Sequence, residues 1–440
     1  MSASSTSHSG SASPAGGHPS HEAVRERTLW FQLGIICAAA FVVWSGFGAI
    51  LPYLPVFLKE QAHASMWLIG LVAAAYYIGS FAFAAVFGRL SDNFGRKPVI
   101  LAGIALFGVA QLLFISTTHP GWFVFFRFLE GVGAAAVTPA AQALVADLST
   151  EKDRSRAYGW MQSAQFGGLV AGPMLSWPLY SLGGGSGKWA FYTIFLFGSA
   201  LSFLTTGALA AFVREPEAIR VRRAHKEKHP PYRKLLAKPI IAFLLVAATG
   251  HFAMGVFEVL WSLWLRELGA SMRFIGLSFI FFSVPMLFSF VGGYLADRWN
   301  RWGLMFSGYM VSAFAWIYYG LGHNLILFLV FGAMEGFAFA WAYPAKQSFF
   351  VQVAPSRWLG SVQGLEQSSL QIAALVGSLV APALYQYVSG FVISMAGMVS
   401  LAGLLVAAPI LYPVYKGLKN GAAFADEESE STVSVARGEL

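Results

Sequence analysis

Residues 88–97 read GRLSDNFGRK, and residues 293–302 read GYLADRWNRW. Both stretches have glycine, leucine, aspartate and arginine at the same relative positions, with an offset of 205 residues. Each lies at the end of a long apolar run, and its charged and turn-forming residues are typical of a short loop between two helices. The repeat indicates that the chain contains a duplicated unit.

A later pair of apolar runs repeats at the same offset. The matching residues are Phe126, Glu130, Gly131, Ala135, Pro139, Ala140 and Gln142 in the first run and Phe331, Glu335, Gly336, Ala340, Pro344, Ala345 and Gln347 in the second. Chance rarely supplies so many identities with one offset. A duplicated helical unit is typical of carriers in which two bundles rock around a site near the bilayer midplane. The repeat therefore favours transport.

The composition excludes a water-soluble enzyme. The 440 residues are 57% hydrophobic and 11% charged, whereas soluble domains contain about 25% charged residues. The single cysteine excludes a disulfide framework or a cysteine metal site. No GxxxxGK[ST], HExxH or CxxC motif is present, so the sequence offers no support for an ATP-driven pump or a metalloenzyme.

Twelve apolar runs are long enough to span a membrane as helices, and they are too long and too continuous for barrel strands. They cover residues 30–58, 67–89, 98–117, 121–147, 157–182, 189–213, 239–265, 273–296, 303–321, 325–353, 359–388 and 390–415. The predicted fold is an all-α membrane protein. Its twelve transmembrane helices form two pseudo-symmetric six-helix bundles around a central cavity.

Lysine and arginine set the predicted orientation. With the N-terminus inside, the inner segments hold 23 of these residues and the outer loops hold 4. Because cytoplasmic loops carry the excess of positive charge, both termini are predicted to be cytoplasmic, in a plasma (inner) membrane. The net charge of +8 is then mostly a signal of topology, and no nucleic-acid partner is expected.

The runs divide the chain into two bundles with polar extensions. Residues 29–213 form the first six-helix bundle and residues 239–415 form the second. Residues 1–28 are predicted to be a disordered cytoplasmic tail, and residues 416–440 a second cytoplasmic tail. The basic linker at 214–238 is either a solvated connector or an amphipathic segment on anionic lipid.

The stretch at residues 88–97 resembles the signature loop of the major facilitator superfamily, and residues 293–301 lie where that family has its second copy. Arg127, followed by Gly131 and Gly133, resembles the family's second motif, an intramembrane arginine before small residues. The resemblance covers residues 30–415 and implies a twelve-helix drug or metabolite:proton antiporter that acts as a monomer.

The resemblance also implies roles for two motifs. A cytoplasmic gate is implied at Gly88, Asp92, Gly95, Arg96 and Lys97, with Gly293, Asp297 and Arg301 in the second copy. The alternative is a generic tight turn. The motif of the antiporter branch is matched by Gly159, Gly168, Gly172 and Pro173, although Ser176 and Trp177 replace its closing glycines. The alternative there is an ordinary proline kink.

Ionisable residues inside predicted spans are candidates for function because a charge in the bilayer is costly. The candidates for proton coupling or substrate binding are Arg127, Glu130, Glu258, Glu335 and Glu366. Arg127 and Glu130 are three residues apart on one helix face and can pair. A proton-coupled carrier needs a carboxylate that binds and releases protons, and Glu130 beside Arg127 is the leading candidate, followed by Glu258. For each acid, the alternative is a structural ion pair.

Amides and aromatic residues supply the candidates for the cavity wall. They are Gln162, Gln165, Trp341, Tyr343, Gln363 and Gln367. Gln363, Gln367 and Gln371 recur every four residues on one helix face, which suggests a polar stripe. These amides either bind a polar ligand or hold helices together, and the two interpretations are equally weighted.

The sequence leaves three candidate functions for the protein. The favoured one is proton-coupled export of a small amphipathic molecule, with the proton gradient as energy source and no cofactor. The second is a proton-coupled uptake permease for a sugar, an organic acid or a lipid-like nutrient. The third, a membrane enzyme or sensor, is disfavoured because no catalytic motif is found. The expected partners are a small-molecule substrate, protons and the lipid bilayer.

Overall fold

A computed structural model of the chain describes residues 21–149, 154–214, 236–354 and 359–419. Most of the predicted tails at 1–28 and 416–440, and most of the linker at 214–238, lie outside these ranges. Throughout the described residues, the secondary structure is helical with no strand.

Fourteen helices are described. They are α1 (His21–Ile50), α2 (Leu54–Glu60), α3 (Met66–Phe94), α4 (Arg96–Leu113), α5 (Trp122–Leu148), α6 (Arg154–Leu182), α7 (Gly187–Phe212), α8 (Lys238–Glu267), α9 (Met272–Met286), α10 (Ser289–Arg298), α11 (Arg301–Leu321), α12 (Leu325–Val353), α13 (Leu359–Val388) and α14 (Phe391–Lys419).

Side-chain caps and one glycine fix several helix starts. Ser65 accepts a hydrogen bond from the backbone N–H of Leu68 at 3.3 Å, and Asn300 accepts one from Gly303 at 2.9 Å. These bonds satisfy N–H groups that have no partner within the helix. Gly95 separates α3 from α4 with a φ of 109°, which is unfavourable for any residue with a Cβ. The predicted loop at residues 88–97 is therefore helical except for a break at the single residue Gly95.

Two predicted spans are each built from two helices. The span predicted at 30–58 breaks after Ile50, near Pro52, and continues as α2. The span predicted at 273–296 breaks after Met286, one residue beyond Pro285, and continues as α10. One proline lies at or next to each break, and its missing N–H removes one hydrogen bond of the helix there. At the N-terminal end, α1 begins at His21, so residues 21–28 are helical where the sequence predicted a disordered tail.

The pairs α1–α2 and α9–α10 each count as one crossing, and the helices then make twelve crossings. Over the described part of the chain, ten segments are long and apolar enough to span a membrane, and α9 is a shorter apolar helix. The remaining span, α6, has 29 residues but lower hydropathy because it carries Gln162 and Gln165.

The crossings form two bundles, which we call the N-terminal bundle (α1–α7) and the C-terminal bundle (α8–α14). The repeated glycines allow equivalent close crossings in both. A methyl group added at Gly131 would lie 2.1 Å from the carbonyl oxygen of Tyr76, and one added at Gly336 would lie 2.1 Å from that of Phe282. Tyr76 and Phe282 are themselves about one repeat apart, so the duplication is structural as well as sequential.

The bundles meet at one end of the molecule. The terminal face is defined as the end that carries His21, Phe212, Lys238 and Lys419, and the distal face as the opposite end. One buried hydrophobic cluster near the distal face includes residues of both bundles, such as Phe57 and Trp261. The two clusters nearer the terminal face each belong to a single bundle. The bundles are therefore closed together distally and packed separately toward the terminal face.

Candidate functional site

Arg127 is the largest completely buried side chain of the described residues, and it pairs with two carboxylates. Its Nη1 lies 2.6 Å from Oε2 of Glu130, three residues along α5. Its Nη2 lies 2.6 Å from Oε1 of Glu258 on α8. The predicted Arg127–Glu130 pair is therefore present, and Glu258 extends it into an ion pair that crosses between the bundles.

Two tyrosines of α3 complete this group. The hydroxyl of Tyr77 donates a hydrogen bond to the second carboxylate oxygen of Glu258 at 2.6 Å. The guanidinium carbon of Arg127 lies 4.8 Å from the ring centroid of Tyr76, within the range of a cation–π contact. We call Arg127, Glu130, Glu258, Tyr76 and Tyr77 the Arg127 cluster.

The Arg127 cluster has one permanent positive charge and two carboxyl groups. Buried charges are stable only when they are paired and hydrogen-bonded, so the cluster is neutral when one carboxyl group holds a proton. Nε of Arg127 and Oε1 of Glu130 are buried without a hydrogen-bond partner. The cluster therefore has the charge arrangement and the spare acceptor that proton binding requires.

A small apolar pocket borders the cluster. It is lined by residues of α2, α3 and α8, by Leu51 of the turn before α2, and by Arg127 of α5; Glu258 is one of the α8 residues. Its apolar wall includes Leu51, Leu58 and Val72. The ion pair between the bundles thus forms the polar end of a pocket whose other walls are hydrocarbon.

Glu335 occupies the position in the C-terminal bundle that matches Glu130, but its partners carry no charge. Nε1 of Trp316 donates to one carboxylate oxygen at 2.5 Å, and the hydroxyl of Tyr319 donates to the other at 3.0 Å. Gly332 stands where the first repeat has Arg127. Both donors belong to the same bundle as Glu335, so these contacts do not bridge the interface.

Glu366 forms a buried ion pair with Lys346 of α12. His251 lies nearby with its Nδ1 3.1 Å from the carbonyl oxygen of Ala247, as expected for a packed histidine. The structure therefore separates the five predicted intramembrane charges into three groups. Arg127, Glu130 and Glu258 come together, whereas Glu335 and Glu366 each lie apart.

The amides of α13 follow the line where the bundles diverge. Gln371 donates a hydrogen bond to Ser80 of the N-terminal bundle at 3.0 Å. Gln367 and Gln363 lie one and two turns closer to the terminal face and are exposed. Because the three share one helix face, the exposed pair faces the gap that opens beyond Ser80.

The other predicted wall residues divide into two classes. Tyr343 packs edge to face against Phe166 of α6, with ring centroids 5.5 Å apart, so it lies between the bundles. Trp341 instead contacts α11, since a methyl group on Gly308 would lie 3.2 Å from its Nε1. On α6, Gln165 is buried and Gln162 is half-buried.

The loop at 88–97 makes its described contacts inside the N-terminal bundle. Nη1 of Arg96 lies 2.5 Å from Asp92 and 2.8 Å from the hydroxyl of Ser91. Nε of Arg96 lies 3.5 Å from Asp147 of α5, and Lys97 donates to the carbonyl oxygen of Ala210 at 2.7 Å. The loop is therefore anchored to α5 and α7.

The second copy of the loop has different local contacts. Nε of Arg301 donates to the carbonyl oxygen of Ala296 at 3.0 Å. Gly88 and Gly293 both have open space where a side chain would point. The side chain of Asp297 lies outside the described residues.

The glycines of α6 pack against α1. A methyl group on Gly172 would lie 2.6 Å from the Cα of Gly48, and one on Gly168 would lie 2.2 Å from the carbonyl oxygen of Phe41. The hydroxyl of Ser176 donates to the carbonyl oxygen of Ala49 at 2.8 Å. Gly159 has no such neighbour. Close packing with α1 thus accounts for Gly168 and Gly172, and Ser176 adds a hydrogen bond to that contact.

A family model described as the Major Facilitator Superfamily matches residues 36–263 and 243–437 of the chain. The chain belongs to the major facilitator superfamily. This confirms the resemblance seen in the sequence, and it identifies the protein as a membrane transporter rather than an enzyme.

Relatives within the superfamily include two bacterial resistance proteins. The chain is 32% identical to multidrug resistance protein 2 of Bacillus subtilis over 236 residues, which are 52% of the chain and 57% of that protein. It is 24% identical to the quinolone resistance protein NorA of Staphylococcus aureus over 383 residues, which are 85% of the chain and 95% of that protein.

Solved structures of the superfamily share the fold at low identity. A bacterial homologue of the human lysosomal transporter Spinster superposes with a TM-score of 0.70 at 15% identity, covering 91% of this chain and 99% of that one. A D-xylose–proton symporter superposes with a TM-score of 0.71 at 16% identity, covering 87% of this chain and 97% of that one. These likenesses confirm the predicted twelve-helix, two-bundle architecture.

The sequence did not predict several residues that contact the buried carboxylates. Tyr77 and Tyr319 donate to buried carboxylates, and Lys346 pairs with Glu366. A hydroxyl-bearing ring near the middle of an apolar span is a usable signal, because a buried tyrosine hydroxyl needs a partner. The pairing across bundles had no sequence signal, since Arg127 and Glu258 are 131 residues apart.

Proposed function

We propose that the protein exports a small amphipathic molecule in exchange for protons, using the proton gradient and no cofactor. The observation that carries the proposal is the buried ion pair between Arg127 and Glu258, which joins the two bundles at 2.6 Å. The names of the two resistance proteins support export of toxic compounds. The excess of Lys and Arg in the segments assigned to the inside supports both termini being cytoplasmic, in a plasma membrane, and we propose that the monomer is the working unit.

The cluster suggests how exchange is enforced. In the empty carrier, ionised Glu258 pairs with Arg127 and holds the distal halves of the bundles together. A proton on Glu258, or a bound cationic substrate, removes the charge that Arg127 attracts. Either event weakens the contact between the bundles and permits the distal side to open. The carrier with bound substrate and the carrier with protonated Glu258 can then change between the two facing states. The empty carrier with ionised Glu258 stays closed at the distal face.

Each member of the cluster has a separate task in this scheme. Glu258 binds the proton or the substrate cation, because its contact crosses the interface. Glu130 remains with Arg127 in the N-terminal bundle and keeps the guanidinium paired when Glu258 leaves. Tyr77 orients the carboxyl group of Glu258 through its hydrogen bond.

The decisive experiment uses purified protein in proteoliposomes with an imposed pH gradient and ethidium as the transported cation. We expect Glu258→Gln to abolish gradient-driven transport while ethidium binding remains measurable. Glu130→Gln is expected to abolish coupling as well, because Arg127 then loses its partner within the bundle. Glu267→Gln is the matched control, since Glu267 is an exposed carboxylate on the same helix. Unchanged coupling in Glu258→Gln contradicts the proposal.

Uptake remains the second candidate because exposed Gln363 and Gln367 face the gap and can bind hydroxyl groups. The two candidates differ in the direction of flux. Cells that lack their main efflux pumps and express the protein are expected to accumulate less dye, and a protonophore is expected to reverse this. Accumulation of a sugar or organic acid driven by the same gradient, without dye export, selects the uptake permease instead.

A further inference from the structure

Lys346 is a buried ammonium group that the proposed proton exchange does not use. The residue is 3% exposed and pairs with Glu366. Lys346 belongs entirely to the C-terminal bundle, where Tyr309, Tyr343 and His251 are the other titratable groups near it among the described residues. An ionisable pair placed in a membrane-spanning bundle indicates a functional site.

The duplicated fold does not require this pair. At the offset of 205 residues, Ala141 matches Lys346 and Met161 matches Glu366. Both are buried in the N-terminal bundle, so the equivalent positions there are filled by uncharged side chains. Buried ion pairs are commonly no more stabilising than apolar residues of similar volume. Stability of the bundle therefore does not account for the charges.

The pair lies directly behind an aromatic wall of the gap. Nζ of Lys346 is 5.8 Å from the ring centroid of Tyr343. The same ring stacks on Phe339 at 5.1 Å and meets Phe166 of the opposite bundle at 5.5 Å. One ring thus separates the ammonium group from the space between the bundles.

We infer that Lys346 is the binding site for a carboxylate carried by the transported substrate. The substrate carboxylate replaces that of Glu366 on the ammonium group, while the substrate's flat apolar body lies against Phe166, Phe339 and Tyr343. The displaced Glu366 swings around α13 toward the side of its exposed neighbour Gln367, which borders the gap. The site favours planar aromatic molecules that bear a carboxylate over those that lack one, such as ethidium.

This inference deepens the proposed function, because it names the chemical class of the exported molecule. It is nevertheless tested by binding alone, without a gradient. Rhodamine B has a free carboxylate on a planar ring system, and its methyl ester has the same rings without that charge. Fluorescence anisotropy of both dyes with the purified full-length protein in detergent measures the contribution of the carboxylate.

The two members of the pair are expected to have opposite effects. Lys346→Gln is expected to weaken rhodamine B binding about tenfold or more, because the carboxylate loses a buried cation, and to change ester binding less than about twofold. Glu366→Gln is expected to tighten rhodamine B binding several-fold, since the competing carboxylate is gone. A merely structural pair would weaken both dyes in both variants.

Lys188→Gln is the matched control, because Lys188 is an exposed lysine near the distal face. Size-exclusion and thermal unfolding profiles establish that each variant is folded. If Lys346→Gln does not fold, Glu366→Gln still tests the inference, because it retains the ammonium group. Equal loss of both dyes in Lys346→Gln, no tightening in Glu366→Gln, or absence of rhodamine B binding to the wild type overturns the inference. Failure of proton-driven transport with this binding pattern intact overturns only the proposed function.

Discussion

At the scale of single residues, Arg127 is where the bundles meet, and its shape matters as much as its charge. Its two terminal nitrogens each contact a different carboxylate at 2.6 Å. A lysine carries the same charge on one nitrogen and cannot hold both carboxylates in this geometry. We expect Arg127→Lys to lower gradient-driven transport at least about tenfold, because breaking a buried pair costs about 3–5 kcal/mol.

Initial rates in proteoliposomes under a fixed pH gradient measure this effect. Arg273→Lys is the control, since Arg273 is exposed near the distal face. Transport by Arg127→Lys within twofold of the wild type would show that charge alone is sufficient and that the paired geometry has no role in coupling.

Glu335 leads to a different expectation at the same scale. Its two donors, Trp316 and Tyr319, are uncharged and lie in its own bundle. Glutamine retains an oxygen that accepts a hydrogen bond, so Glu335→Gln is expected to transport within about threefold of the wild type. Glu335→Leu leaves two buried donors unpaired and is expected to lower the free energy of unfolding by about 1–3 kcal/mol per donor.

Thermal unfolding in detergent and transport rates, measured on the same preparations, separate the two variants of Glu335. If Glu335→Gln abolishes proton coupling while unfolding at the wild-type temperature, Glu335 is a proton carrier and not a structural acid.

Single residues also show how far the sequence could predict the site. Arg127 and Glu130 were found because they are three residues apart on one helix, which fixes their distance. Glu258 was recognised as costly in a membrane, but its partner could not be named, because the contact depends on how α5 and α8 cross. Glu366 is likewise recognisable as a costly charge in a predicted span, but its pairing with Lys346 depends on the packing of α12 against α13.

At the scale of helices, the glycines of α6 set the distance to α1. Gly172 lies so close to Gly48 that an added methyl group would be 2.6 Å from its Cα. We expect Gly172→Ala to lower the free energy of unfolding by about 1–3 kcal/mol, because overpacking forces the helices apart. Gly159→Ala is the control on the same helix, and there the added methyl group has open space.

The melting temperatures of these two variants are the measurement. Gly159→Ala is expected to be neutral or slightly stabilising, since alanine has the higher helix propensity. An equal change in both variants would mean that helix propensity, and not contact with α1, explains the motif.

Hydropathy predicted the spans well and their internal breaks poorly. The apolar runs at 30–58 and 273–296 contain the breaks at 51–53 and 287–288, where the side chains remain apolar. Hydropathy depends on side chains, whereas a break depends on backbone hydrogen bonds that proline removes. Pro52 and Pro285 lie at these breaks, but Pro139, Pro173 and Pro344 lie inside helices that continue, so proline alone does not locate a break.

At the scale of the whole molecule, two features close the distal face in addition to the Arg127 cluster. Arg266 and Glu60 form an ion pair of 2.8 Å between α8 and α2. The hydroxyl of Tyr53 donates to the carbonyl oxygen of Met272 at 2.9 Å. The exposed ion pair contributes little by itself in water. The buried pair at Arg127 is therefore expected to dominate the choice between distally closed and distally open states.

This expectation can be tested by measuring distances across both faces. With buried Cys37 replaced by serine, spin labels at exposed His63 and Arg273 report on the distal face, and labels at exposed Asn93 and Trp299 report on the terminal face. We expect Glu258→Gln to broaden or lengthen the distal distances and shorten the terminal ones, because a neutral amide no longer attracts the guanidinium. Glu60→Gln is expected to change both distributions much less. If Glu258→Gln leaves both distributions as in the wild type, the ion pair does not hold the bundles together, and coupling must act through another contact.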